Sequence, residues 1–338
     1  HHADRPADVA TKELLALWLR LGRQDVSSSS LLAGAQMALL ELGVGVRPRG
    51  AVDTRPLART LDGVIRDRER IRSNVDDGHL DALAVVTTSA SEGRTVVWVE
   101  GGVLDVNGES ELPELDLKKG IEYRAPVDGI GVEHVLASAA IPIVFPPVEI
   151  ATGKNTTEWF VDGGLRLNTP IKPALELGAS SVAIVATDPA THAPTPASKR
   201  PHVPDVDDLV LHALQAVLAD PLIEDMWRLA GVNTLLGGGA RAGKSPIEYL
   251  FVGPSTRGLL GQRAGTAAEQ LRCSELKAFG WLLGRQGSQH EELLSYFLFD
   301  PAFFEAAAEL GKQDAKTELD RLRGDGSTLP WRTEPIDV

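Results

Sequence analysis

The chain has 338 residues, of which 43% are hydrophobic and 24% are charged, so it can bury the core of one large domain or of two modest ones. No stretch approaches the roughly 20 consecutive apolar residues of a membrane-spanning helix. The 47 acidic and 34 basic side chains give a formal net charge of −13, which argues against nucleic acid as a partner, because a phosphate backbone attracts basic proteins.

Helical spacing of apolar residues dominates the first third of the chain. It predicts an amphipathic helix over residues 7–21, whose apolar face we expect in the core, and a second helix over residues 31–42. Asp53 and Thr54, followed by Pro56, are typical of a helix start with proline in the first turn. No apolar targeting segment precedes these helices, so we expect any targeting signal to lie upstream of His1.

The middle of the chain changes to β-branched runs. Residues 82–88 and 95–100 predict a hairpin or two neighbouring strands, and the polar residues 101–119 predict a surface excursion. Further along, the pattern predicts a short helix at 132–140, a buried strand at 159–161, a helix from Thr169 to Leu177 and an apolar strand at 181–186. The succession of strand, helix and strand favours an α/β sheet with parallel neighbours.

The last part of the chain begins with a segment that holds five prolines, residues 189–204, which we interpret as an exposed loop. A long helix over about 207–236, a strand at 247–252 and helices to about 323 follow. We therefore predict a core over residues 1–188, a proline-rich loop over 189–206, and a segment over 207–338 that completes the same domain.

Asp162 is the strongest candidate for a chemical role. It directly follows the buried strand and precedes Gly163 and Gly164, a pattern that lets backbone approach closely and turns the carboxylate toward a cleft. A carboxylate there is partly desolvated, which raises its proton affinity and suits it to act as a general base. The same Asp-Gly-Gly pattern is also common in turns without any catalytic function.

Two segments around Asp162 resemble the patatin-like phospholipase family. The first is the small-residue helix leading into Ile-Pro-Ile-Val-Phe-Pro-Pro at 141–147, and the second is Asp-Gly-Gly with its following Asn168, Thr169 and Pro170. The resemblance implies a three-layer α/β sandwich with a mostly parallel central sheet and helices on both faces. It also implies that Asp162 is the base of a Ser-Asp dyad, that Gly163 and Gly164 shape the supporting turn, and that Asn168 and Thr169 hold the loop.

The function implied by the resemblance is hydrolysis of lipid carboxylic esters, of the phospholipase or lipase type. No metal or other cofactor is required, and the expected partner is a lipid or acyl-ester substrate, with contact to a membrane surface and no nucleic acid. The expected location is the cytoplasm or the membrane periphery.

The sequence departs from the family at the nucleophile. Such enzymes carry a Gly-x-Ser-x-Gly elbow that exposes the serine, and the pattern occurs nowhere in these 338 residues. Neither Ser138 nor Ser255 has this elbow pattern, so we expect the serine upstream of His1. The alternative is a catalytically inactive patatin-like interaction module.

Residues 238–245 match the phosphate-binding formula Gly-x-x-x-x-Gly-Lys-Ser and offer a nucleotide-binding alternative. A working phosphate loop follows a strand and opens a helix, so that the helix N-terminus points at the phosphate. Here the preceding residues are helical in pattern and the following ones predict a strand. The reversed context favours an ordinary helix-to-strand loop.

Overall fold

A computed structural model describes the chain over residues 3–26, 53–65, 67–102, 120–142, 145–167, 169–187, 189, 226, 229–234, 246–256, 258–270, 291, 294–296, 298–324 and 331–333. The chain divides into two compact units, His1–Leu177 and Gly178–Val338. The predicted helix at 31–42, most of the excursion at 101–119, the proline-rich segment apart from Pro189, and most of the predicted helix at 207–236 lie outside the described residues.

Within the described residues, four helices precede the first strand, and groups of strands and helices follow along both units. The helices are α1 (Ala7–Trp18), α2 (Arg23–Val26), α3 (Arg55–Val64), α4 (Arg68–Asp76), α5 (Val132–Ser138), α6 (Gly164–Leu167), α7 (Ile171–Glu176), α8 (Leu259–Gln270) and α9 (Pro301–Gly324). The strands are β1 (Ala82–Ser89), β2 (Thr95–Gly101), β3 (Ile121–Arg124), β4 (Val148–Gly153), β5 (Thr156–Asp162), β6 (Ser181–Val185) and β7 (Glu248–Val252).

The first unit contains a five-stranded sheet in the order β3-β2-β1-β5-β4. Only β2 and β3 pair in parallel, whereas β1 is antiparallel to both of its neighbours and β4 is antiparallel to β5. The predicted mostly parallel sheet is therefore wrong, and the sheet is mixed. The reason is the connections: β1–β2 and β4–β5 are joined by a few residues each, and so short a link permits only an antiparallel hairpin.

Helical residues cover both faces of this sheet. Ala137 of α5 lies in the cluster on one face, together with Val96, Trp98, Ile150 and Phe160. Leu167 of α6 and Leu177 at the end of α7 pack on the other face, against Val86, Val97 and Val99. The α/β prediction with helices on both faces agrees with this arrangement, and Asp162 points to the α5 side because it shares the parity of Phe160.

The second unit holds the parallel pair β6 and β7, with Ser181 opposite Glu248. Beside it, α8 and α9 bury a cluster formed by Ala264, Ala267, Leu294, Leu298 and Phe303. The strand at 181–186 was expected next to the strand that ends at Asp162. Within the described residues its partner is instead β7, which lies more than 60 residues further along the chain.

The first helix departs from expectation in its burial. None of the residues of α1 is buried, and Leu14 and Trp18 remain 55% and 43% exposed, so the prediction that its apolar face lies in the core is wrong. No helix within the described ranges combines the length and the apolar content that crossing a membrane requires.

Candidate active site

Asp162 is held at the end of β5 by two neighbouring elements. It lies opposite Thr87 in the antiparallel pair of β1 and β5. Its backbone N–H donates to the carbonyl oxygen of Ala140, just beyond the end of α5, at 2.9 Å. The small residues that close α5 let this carbonyl approach the strand. The position of Asp162 thus depends on the sheet register and on the end of the helix together.

The carboxylate of Asp162 is half-buried and accepts one hydrogen bond, from the backbone N–H of Gly164 to Oδ1 at 2.6 Å. Burial raises its pKa from 3.8 to about 6, and the Gly164 hydrogen bond opposes that rise by stabilising the charged form. At neutral pH the group is ionised and retains more proton affinity than an ordinary aspartate. Such a carboxylate can accept a proton from a nearby hydroxyl.

Gly163 lies against β1 so closely that no side chain fits. A Cβ atom at this position would collide with the carbonyl oxygen of Val86, and it would also come within 2.9 Å of the Val86 side chain. Gly164 is buried and opens α6, and its N–H is the one that holds Asp162. The chain must therefore turn immediately after Asp162, but a catalytic role for the turn stays a prediction.

Two residues on the same face of the sheet as Asp162 were not singled out from the sequence: Thr87, which lies opposite Asp162, and Trp98 of β2. Both are fully buried on the α5 side of the sheet. The indole Nε1–H of Trp98 donates to Thr87 Oγ1 at 2.9 Å, and the Thr87 hydroxyl donates to the carbonyl oxygen of Val96 at 3.3 Å. The predicted hairpin contained both residues, but only the register between β1 and β5 places Thr87 opposite Asp162.

His134 of α5 packs against Trp98 on the same face of the sheet. Its Nδ1 accepts the backbone N–H of Gly131 at 3.1 Å, and its ring meets Trp98 edge-on with 4.8 Å between centroids. Burial lowers the pKa of His134, with Arg68 acting in the same direction and Glu133 opposing it. The imidazole is therefore neutral at physiological pH, and it packs against Trp98.

Three further residues were singled out from the sequence near the candidate base or as possible nucleophiles. Ser138 ends α5 and is partly buried, and Ser255 belongs to the second unit. In the part of the chain that the structure describes, no hydroxyl is hydrogen-bonded to the Asp162 carboxylate. Asn168 lies outside the described residues.

Residues 238–245 also lie outside the described residues, but both of their flanks are described. Residues 229–234 are helical, and β7 begins at Glu248. The predicted helix before the motif and strand after it are confirmed, so this context differs from that of a phosphate loop. Within the described ranges, no group of three or more His, Cys, Asp or Glu side chains is arranged to hold a metal ion.

Comparison with known proteins identifies a family that this chain resembles. The model of the Patatin-like phospholipase family matches residues 7–175, half of the chain, and the match contains the sheet, α5 and Asp162. A search of curated proteins finds no match. Because this match covers half of the chain and includes β1 to β5 and the turn after Asp162, the chain belongs to the patatin-like phospholipase family.

Proposed function

We propose that this protein hydrolyses the carboxylic esters of lipids, phospholipids or acylglycerols, with Asp162 as the base of a Ser-Asp dyad. The observation that carries the proposal is the state of Asp162: a half-buried carboxylate with its pKa raised to about 6, directly after the buried residues Phe160 and Val161 of β5 in a patatin-like chain. Membership of a family of lipid acyl hydrolases supports the substrate class.

The two carboxylate oxygens have different environments, which assigns them different tasks. Oδ1 accepts the Gly164 N–H, whereas Oδ2 has no hydrogen bond within the described part of the chain. Oδ2 is therefore the oxygen that receives the proton. The bond to Oδ1 holds the orientation of the group during the transfer, as an effective general base requires.

The reaction proceeds in two transfers. Asp162 takes the proton of a serine supplied from outside these 338 residues, the serine oxygen attacks the acyl carbonyl, and the proton passes to the departing alcohol oxygen. Asp162 then takes a proton from water, the hydroxide attacks the acyl-serine, and the fatty acid leaves while the proton returns to serine. The half-buried position of Asp162 keeps its basicity high in both steps.

The test is ester hydrolysis by the protein together with its native upstream sequence. We expect it to hydrolyse acyl esters, to prefer medium or long acyl chains over acetyl, and to lose activity by a factor of roughly 10² to 10⁴ in Asp162→Asn, the usual contribution of a general base. Asp128→Asn, at an exposed aspartate of the same unit, is the matched control and should retain full activity.

The other outcomes identify the competing functions. An extended protein without hydrolase activity, or full activity in Asp162→Asn, would contradict the dyad and favour an interaction module. Equal rates on acetyl and long-chain esters would indicate a non-lipid esterase. Thermal stabilisation by ATP or GTP that disappears in Lys244→Ala would favour the nucleotide-binding alternative.

A further inference from the structure

Thr87 carries a hydroxyl donor on the residue opposite Asp162, but this hydroxyl does not bond to the Asp162 carboxylate. Residues directly opposite each other in an antiparallel pair point to the same face, with Cβ atoms about 5 Å apart. The side chain of Thr87 therefore lies next to that of Asp162 in the register of β1 and β5. No hydrogen bond joins the two groups, and Oγ1 instead faces β2.

Trp98 is the residue that holds Oγ1 on the β2 side. It occupies the position diagonal to Thr87 on the same face, since Val96 is directly opposite Thr87 and Trp98 is two residues further along β2. Its indole N–H is fully buried and has Thr87 Oγ1 as its acceptor at 2.9 Å. Rotating the threonine would leave this N–H without an acceptor, which is costly in a buried site.

Three side chains fix the direction of that indole. Phe160 and His134 meet the ring edge-on, with centroids at 5.3 Å and 4.8 Å, and the guanidinium of Arg124 lies over it with Cζ at 5.9 Å from the centroid. These contacts hold the indole N–H in its direction toward Thr87 Oγ1. The threonine is in turn restricted, because a β-branched side chain has few χ1 positions available.

We propose that Trp98 is a positioning residue for the hydrolytic reaction, because it holds the Thr87 hydroxyl away from Asp162 and so keeps the base without a second donor. This inference rests on the proposed function of Asp162. Without the indole N–H, no buried donor loses its acceptor when Thr87 turns to a χ1 position that faces Asp162, and a bond to the charged carboxylate is stronger than the 3.3 Å bond to the Val96 carbonyl.

Charged groups do not account for the basicity of Asp162. On the α5 side, the ionisable groups of the elements that pack against β5 are Glu133 and His134 of α5, and β5 itself carries Glu158; β1 has none. Glu149 of β4 and Arg166 of α6 belong to the remaining neighbours. Burial explains the raised pKa of Asp162, and the Gly164 hydrogen bond opposes the rise.

The experiment is a carbon-detected NMR titration of the Asp162 carboxyl in the 338-residue chain, assigned by its disappearance in Asp162→Asn. We expect the pKa of Asp162 to be about one pH unit lower in Trp98→Phe, because a hydroxyl then donates to the charged form. In the double variant Trp98→Phe with Thr87→Val, it should return to the original value. Trp159→Phe, on the opposite face of β5, is the matched control and should leave it unchanged.

Two results would overturn the inference: an unchanged pKa in Trp98→Phe, or a pKa that stays low in the double variant. If Trp98→Phe does not fold, Thr87→Val alone decides. An unchanged pKa of Asp162 in Thr87→Val supports the inference that the Thr87 hydroxyl does not bond to the carboxylate. A raised pKa contradicts the inference, because it would mean that the hydroxyl already stabilises the charged carboxylate. The titration requires no hydrolysis, so its failure is distinguishable from failure of the proposed function.

Discussion

Asp162 gains basicity at the expense of folding stability. Its pKa is about 6 in the folded chain, against 3.8 for an ordinary aspartate. Between these values the folded state binds more protons than the unfolded state, so stability falls as the pH rises from about 4 to 6. Above pH 6 the loss is complete, and a shift of this size corresponds to about 2 to 3 kcal/mol.

Asp162→Asn should therefore stabilise the protein while it abolishes the base. The amide carries no charge and keeps an oxygen for the Gly164 N–H, so we expect a gain of about 2 kcal/mol at pH 8 and almost none at pH 4. Urea unfolding at both pH values measures this difference. Asp128→Asn should show no such pH dependence, and an Asp162→Asn gain that is equal at both values would contradict the raised pKa.

Gly163→Ala should destabilise the first unit. The new Cβ collides with backbone of β1 rather than with a flexible side chain, so we expect a loss of about 2 kcal/mol or more. Gly311→Ala in α9 is the contrasting control: its Cβ meets nothing within 4 Å, and alanine favours a helix by about 0.5 to 1 kcal/mol. Chemical denaturation compares the two, and a neutral Gly163→Ala would contradict the close approach to Val86.

The elements around the candidate site are joined mainly through α5. Its last turn meets Asp162 through Ala140, and its first turn is tied to α4 by Arg68, which bonds both carboxylate oxygens of Glu133 at 2.9 and 2.8 Å. The two side chains are 40% and 28% exposed. Solvent screening therefore limits the strength of the pair.

A double-mutant cycle of Arg68→Ala and Glu133→Ala should give a coupling energy of about 0.5 to 1 kcal/mol, which falls at high salt. The exposed pair of Lys12 and Asp8 in α1, at 3.2 Å, is the control and should couple by no more than about 0.5 kcal/mol. Equal coupling in the two cycles would mean that the bidentate geometry between α4 and α5 adds nothing.

At the scale of the whole molecule, the two compact units raise the question of cooperativity. The second unit depends on Asn233, a buried side chain that donates to the carbonyl oxygens of Ile247 and Thr333 and accepts the N–H of Ile247. This one residue joins the helical segment 229–234 to the residue before β7 and to the segment near the end of the chain. Its loss leaves three partly buried backbone groups of Ile247 and Thr333 without this partner.

Asn233→Ala should cost about 1 to 3 kcal/mol, because partly buried polar groups lose their partners. If residues 207–338 complete the same domain as residues 1–188, as we propose, hydrogen exchange should speed up in β1 and β2 as well as in β7. Faster exchange confined to β7 would contradict a single cooperative domain. Thr234→Ala, in the same segment and with only a helix-carbonyl bond, is the control.

Local patterns were sufficient for much of the fold. The runs at 82–88 and 95–100 form the predicted hairpin, the start at Asp53 to Pro56 opens α3, and the helix predicted from Thr169 to Leu177 contains α7. Each of these depends on residues close in sequence, where apolar period, turn residues and proline act directly on the backbone. The family resemblance, carried by the segments around Asp162, is likewise confirmed.

The sequence by itself thus determined the family, the α/β class, the main hairpin and the position of Asp162 between a strand and two glycines. Only the tertiary structure decided that the sheet is mixed, that β6 pairs with β7, and that Thr87 lies opposite Asp162 and accepts the indole N–H of Trp98. The physical reason is distance along the chain. Strand pairing and burial depend on residues dozens of positions apart, and the pKa of Asp162 depends on the water that those residues together exclude.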